Sequence, residues 1–137
     1  MKNKMSNIKY SKEVMKNFLH PKNIGEIKNP DGVGKIGNPV CGDVMWVYIK
    51  VKDDKIKHIK FKTFGCVAAI ATSSVLTQLA KGKTIKQAGK IRTKDIVKSL
   101  KGLPSIKVHC STLASKALKL AIKNYKNKND KKLKDKF

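Results

Sequence analysis

His109 and Cys110 stand side by side in KVHCST, residues 107–112, and two more cysteines lie upstream, Cys41 in PVCGDV and Cys66 in FGCVAA. An imidazole beside a thiol admits three readings: a nucleophile and its base, a metal centre, or small buried side chains without a chemical role. Cys66 and Cys110 each fall just before, or at, the first turn of a strongly helical segment. Unpaired backbone N–H groups and the positive end of the helix dipole favour a thiolate there. Cys41 sits in a Pro-Val-Cys-Gly-Asp turn, in which Gly42 gives the backbone freedom to wrap around a ligand and Asp43 brings a carboxylate to the same point.

The candidate donors are therefore Cys41, Asp43, Cys66, His109 and Cys110. Thiolate-rich sets of this kind select zinc, copper(I) or iron–sulfur clusters. Five donors for four positions make a poor permanent structural site, which is normally a closed Cys/His set. A surplus suits cargo that is assembled and then released, because ligands can exchange one at a time. The gaps between the cysteines are 25 and 44 residues, with no C-x-x-C. Spacing by itself thus leaves the buried-hydrophobe reading open. Sequence neighbours seldom face each other as base and nucleophile, and no orienting third residue or oxyanion site is evident, which counts against a catalytic dyad.

The elements that must position these residues can be read from periodicity. YSKEVMKNFLH predicts a short helix capped by Ser11, with Val14, Met15 and Phe18 on one face. A Gly-, Pro- and Asn-rich loop follows, with a short strand near Val33–Gly37. DVMWVYIKVKDDKIKHIKFKTF predicts two strands joined at DDK. Met45, Val47, Ile49 and Val51 share one face, as do Ile59 and Phe61, whereas His58 alternates with Lys60 and Lys62 on a solvated face. CVAAIATSSVLTQLA predicts a buried helix ended by Lys81-Gly82. Two short helices capped by Thr84 and Thr93 come next, then LPSIKVHC as a connection held extended by Pro104. STLASKALKLAIKNY predicts a second long helix with Leu113, Ala117, Leu118, Ala121, Ile122 and Tyr125 on one stripe. Residues 1–9 and the charged tail 127–137 are expected to be loose.

At 137 residues the chain suits a single domain, with no repeat or linker. No apolar run approaches membrane-span length. The basic start, MKNKMSNIKYS, has no apolar stretch after it and no arginine, so neither a secretory signal nor an ordinary transit peptide is expected, and the expected location is cytoplasmic. An odd number of cysteines then argues for reduced thiols. The net charge of +23 invites a nucleic-acid reading, but only Arg92 among the 32 basic residues is arginine, and the lysines are spread along the chain. Base readout and bidentate phosphate contacts favour arginine, so no specific nucleic-acid partner is expected.

Taken together, NPVCGDVMWVYIKV, IKFKTFGCVAAIATSS, KGKTIKQA and LPSIKVHCSTLASKALKLAIKNY resemble, in order and spacing, the U-type iron–sulfur cluster scaffolds (NifU N-terminal/IscU-like), over roughly residues 10–126. HPKNIGEI also resembles that family's Asn-Pro-Arg-Asn-x-Gly segment. The combination is far more specific than any one piece. The resemblance implies an α+β fold: a small three-stranded antiparallel sheet, helices packed on one face, and the metal site at one end. It implies that Cys41, Cys66 and Cys110 are the cluster cysteines, Asp43 the conditional carboxylate ligand and His109 the alternate or fourth ligand. Lys107 matches the family's lysine ahead of the His-Cys pair, though one more solvated lysine is an equal reading in this composition.

The role implied is that of a scaffold and carrier, not an enzyme. It would receive sulfur from a cysteine desulfurase, and iron and electrons from other partners, build a [2Fe–2S] or larger [4Fe–4S] cluster, and pass it to apo-proteins. Zinc can occupy such a site in place of the cluster, and a homodimer is left open. Two departures stand out. The family's Leu-Pro-Pro-Val-Lys segment is LPSIK here, which loses one fixed φ and puts dependence on an Hsp70-type chaperone in doubt. The acidic pair after the last cysteine is Ser115-Lys116. The nearest rival is a zinc-dependent sulfur-acceptor branch, whose members carry an insertion between the second and third cysteines and lack the histidine. The short 67–109 segment and His109 favour the scaffold.

Overall fold

A computed structural model describes the backbone of residues 10–38 and 43–135, and the side chains of residues 10–37, 44–108 and 110–128. The expectation for residues 1–9 lies outside the described residues, as does Cys41. In chain order the elements are α1 (Lys12–Leu19), β1 (Gly32–Asn38), β2 (Asp43–Lys52), β3 (Lys55–Thr63), α2 (Val67–Ala80), α3 (Ile85–Ala88), α4 (Thr93–Ser99) and α5 (Val108–Asp135).

The three strands form one antiparallel sheet in the order β1-β2-β3. Asp53 and Asp54 both take positive φ, 53° and 62°, which is the two-residue turn whose twist matches a hairpin. Met45, Val47 and Ile49 of β2 are buried beside Ile59 and Phe61 of β3, and His58 is exposed, as the alternation predicts. A register shift between Lys50 and Val51 lets Ile56 join the same buried face. The outer edge of β3 is covered by the loop before β1: Phe61 N–H donates to Asn23 O and Gly25 N–H to Phe61 O.

Helices α2 and α5 pack on the buried face of the sheet. The small residues of α2, from Ala68 to Ala80, are mostly buried, and its hydroxyls are satisfied internally: Thr72 Oγ1 donates to Ala68 O and Ser73 Oγ to Met45 Sδ. The close seat of α5 depends on β1. A Cβ at Gly32 or Gly34 would collide with the carbonyl oxygens of Ala121 and Ala117, so the absence of side chains lets the helix backbone lie against the strand. Residues Ala114, Ala117, Leu118, Ala121 and Ile122 of α5 complete the core.

Three local expectations are corrected. In α1, Val14 is buried but Met15 is exposed; Asn17 turns inward instead, its Oδ1 accepting from Ser74 Oγ and Gln78 Nε2. The cap of α4 is Arg92, not Thr93: Arg92 N–H donates to Asp95 Oδ2, while Thr93 Oγ1 meets Thr112 Oγ1 at 3.3 Å. LPSIKVHC is not extended throughout. Pro104 is extended, but Ser105–Lys107 form a 3₁₀ turn and α5 starts at Val108, three residues ahead of the predicted helix, and runs on to Asp135. The other caps stand: Ser11 Oγ accepts from Val14 N–H, and Thr84 makes a capping box with Gln87.

Candidate metal centre

Cys66 is the N-cap of α2, with extended backbone and no side-chain capping bond, so its sulfur is not spent on its own helix. The turn before it is held to the start of β2. Thr63 Oγ1 donates to Val44 O at 2.8 Å, Phe64 N–H donates to the same carbonyl, and Gly65 N–H donates to Thr63 Oγ1. These bonds set the helix N-terminus at the sheet end where β2 begins with Asp43. Cys110 lies in the first turn of α5, fully buried. The two helix starts converge, and Cys66 Sγ stands 3.9 Å from Cys110 Sγ.

That distance has a direct chemical meaning. Two thiolates bound to one tetrahedral metal at about 2.3 Å stand about 3.8 Å apart. The sulfurs are therefore already spaced as ligands of a single iron or zinc ion. A thiol pair at this separation also favours a shared proton. The Cys66 thiol is lowered from its ordinary 9.0 to about 5, chiefly because the Cys110 thiol hydrogen-bonds to it. Burial opposes the change; the N–H groups of Ala69 and Ala68 at the start of α2 and the Lys107 ammonium assist it.

Lys107 Nζ lies 3.8 Å from Cys66 Sγ. Its own pKa is raised, first by the negative charge on Cys66. This decides between the two sequence readings of Lys107: it faces the sulfurs rather than bulk solvent alone. Tyr10 belongs to the same neighbourhood. Burial raises its phenol, the charges on Cys66 and Cys110 raise it further, and Lys107 opposes them. The sequence reading passed over Tyr10, whose only local signal is its place just ahead of the Ser11 cap.

Of the five predicted donors, Cys66 and Cys110 are thus brought together by their side chains. Asp43 and His109 have their backbones at the same end of the fold, one opening β2 and the other beside Cys110, with side chains outside the described set. Among the described residues no third Cys, His, Asp or Glu completes a metal-binding group. Two large apolar side chains flank the pair in sequence and project into solvent: Phe64 is 73% exposed and Ile106 64%. Among the described residues no helix is long and apolar enough to cross a membrane.

The sequence pattern of the NifU-like N-terminal domain family matches residues 9–132. The chain is 57% identical over 122 residues to iron-sulfur cluster assembly scaffold protein IscU 1 of Archaeoglobus fulgidus, covering 89% of this chain and 80% of that one. It is 48% identical over 118 residues to the IscU scaffold protein of Aquifex aeolicus, covering 85% and 75%. The fold matches the crystal structure of the N-terminal part of a nitrogen-fixing NifU-like protein from Brucella abortus with a TM-score of 0.67, at 20% identity, over 85% of this chain and 94% of that one.

Proposed function

The chain belongs to the NifU-like N-terminal domain family, and from that premise we propose that it is a scaffold on which an iron–sulfur cluster is built and from which it is handed on. The observation that carries this reading is the 3.9 Å separation of Cys66 and Cys110 Sγ, the spacing of two thiolates on one tetrahedral metal. On this reading Cys41, Cys66 and Cys110 hold the cargo, a [2Fe–2S] cluster. Asp43 and His109 share the fourth position as weaker, exchangeable donors.

The residues divide the work as follows. Cys66 is half-buried and faces Lys107, so its thiolate is reachable by a protein donor and held in ionic form. It attacks the outer sulfur of a persulfide on a cysteine desulfurase. The donor's S–S bond breaks, a Cys66 persulfide forms and the donor's thiolate leaves. Two electrons from a reducing partner then release the sulfur as sulfide to iron. Cys110, fully buried, shares a proton with Cys66 until metal replaces it. Phe64 and Ile106 offer apolar contact to donor and acceptor proteins at the mouth. The protein is a carrier: it ends each cycle with its own thiols restored.

The deciding experiment is anaerobic incubation of the chain with desulfurase, cysteine, reductant and ferrous iron, followed by addition of an apo-ferredoxin. A visible-absorbing cluster that moves to the ferredoxin supports the reading. Sulfur passing to an acceptor without iron, from a chain that holds only zinc, overturns it in favour of the sulfur-acceptor rival.

A further inference from the structure

We propose that the outer edge of β1 and the lysine-bearing face of α5 form a groove that receives an acidic, extended segment of a partner protein as an added strand. This surface is separate from the thiol pair and does not rest on the scaffold reading.

The backbone pattern fixes which groups of β1 are open. Phe64 N–H donates to Val44 O, so the even-numbered residues of β2 direct their backbone groups to β3. The odd-numbered Met45, Val47 and Ile49 therefore bond Ile36, Gly34 and Gly32, their register partners on β1. Val33, Lys35 and Gly37 point their backbone groups away from the sheet. Val33 N–H is taken by Asn124 Oδ1 from α5 at 3.0 Å. Among the described residues no strand pairs with β1 on the side away from β2, so Lys35 and Gly37 lie on an open edge of the sheet. An edge of this kind is a template for another strand.

Beside that edge lies a cleft of about 280 Å³ between β1 and α5, lined by Ile36, Lys116, Lys119, Leu120 and Lys123. Its floor is apolar, with Leu120 39% exposed. Its rim is three lysines, and the sequence holds no Asp or Glu between Asp95 and Asp130. An edge strand next to a helix, with an apolar floor between them, is the arrangement that captures peptides by strand addition: main-chain bonds give affinity, and the cleft reads alternate side chains. Here the fitting pattern is an apolar side chain over Ile36 and Leu120, with carboxylates two residues to either side reaching the lysines.

Charge selects the occupant. Residues 1–9 of this chain carry Lys2, Lys4 and Lys9 and no acid, and a second copy carries +23; both are repelled. A nucleic-acid strand would satisfy the lysines but leave the strand edge and the apolar floor without partners.

The test is an amide NMR titration of the full chain with a blocked peptide, Thr-Glu-Thr-Ile-Thr-Glu-Thr, at low and at high salt. Its Lys-for-Glu counterpart and a single-stranded oligothymidylate serve as the other probes. Expected are large shifts and exchange protection at Lys35 and Gly37, with affinity falling at least roughly tenfold in Lys119→Glu and in Leu120→Asp and with added salt. The lysine peptide should bind at least roughly tenfold more weakly than the acidic one. Both substitutions lie on the solvent face of α5, and cluster assembly should be unchanged in them, so failure here is distinct from failure of the scaffold reading. No shift at millimolar peptide, shifts that omit Lys35 and Gly37, or tighter binding of oligothymidylate through the same lysines would each overturn the proposal.

Discussion

The ammonium of Lys107 stands 3.8 Å from Cys66 Sγ, although 41 residues separate the two. The contact exists because the 3₁₀ turn Ser105–Lys107 leads straight into α5, whose first turn abuts the N-terminus of α2. A positive charge is thus delivered to a sulfur that three other donors already favour as a thiolate.

Cys66 is accordingly an acidic thiol. Its alkylation by iodoacetamide, followed by mass spectrometry of the metal-free chain, should titrate with a midpoint near 5. Lys107→Gln should move that midpoint upward, by less than Cys110→Ala does, because the Cys110 hydrogen bond is the larger cause. An unchanged midpoint in both variants would remove the electrostatic account of the site.

The same depression links folding to pH. A group whose folded pKa is lowered adds stability that is fully present above its unfolded value and is lost as pH falls through the folded one. For Cys66 the window runs from about 9 down to about 5. Urea unfolding of metal-free wild type and Cys66→Ser should therefore converge as pH drops across that window. Parallel profiles would show that the thiolate is not stabilised by folding.

Cluster assembly should respond unequally to loss of each donor. Cys41→Ser, Cys66→Ser and Cys110→Ser should each abolish the visible-absorbing species in anaerobic reconstitution. Asp43→Ala should lengthen its lifetime, because the proposed ligand set makes Asp43 a weak, exchangeable donor. Abolition by Asp43→Ala in a folded protein would refute the exchange argument.

Ser11 joins two elements: its Oγ caps α1 at Val14 N–H and donates to Leu100 O at 2.5 Å. Ser11→Ala should cost about 1–2 kcal/mol by urea denaturation. Ser11→Thr should restore most of it, since the hydroxyl returns.

The seat of α5 can be tested at β1. Gly34→Ala places a methyl group against the Ala117 carbonyl, and neither backbone can yield without moving the helix. The expected loss is about 3 kcal/mol. Gly82→Ala, in open space but at φ +85°, should cost only about 1 kcal/mol from backbone strain. Equal losses at the two positions would mean that α5 does not lie as close as it stands here.

Much of this molecule is local and therefore readable from the chain. The period-two alternation of Met45, Val47 and Ile49 fixed the buried face of the sheet, the Asp53-Asp54 turn fixed the hairpin, and the small-residue run from Ala68 to Ala80 announced a buried helix. The order and spacing of the motifs around Cys41, Cys66 and His109-Cys110 carried the family. Where local reading failed, a partner distant in sequence had intervened. Met15 yielded its place to Asn17 because Ser74 and Gln78 of α2 offer polar partners there. Val108, His109 and Cys110 became helix where α5 meets the 3₁₀ turn. What only the tertiary structure decided is convergence: Cys66 and Cys110 at ligand spacing, Lys107 turned onto them, and Tyr10 beside them. No periodicity encodes those distances. They follow from α5 lying flat on Gly32 and Gly34 while the turn before α2 is tied to Val44, so packing between remote segments sets where the sulfurs meet.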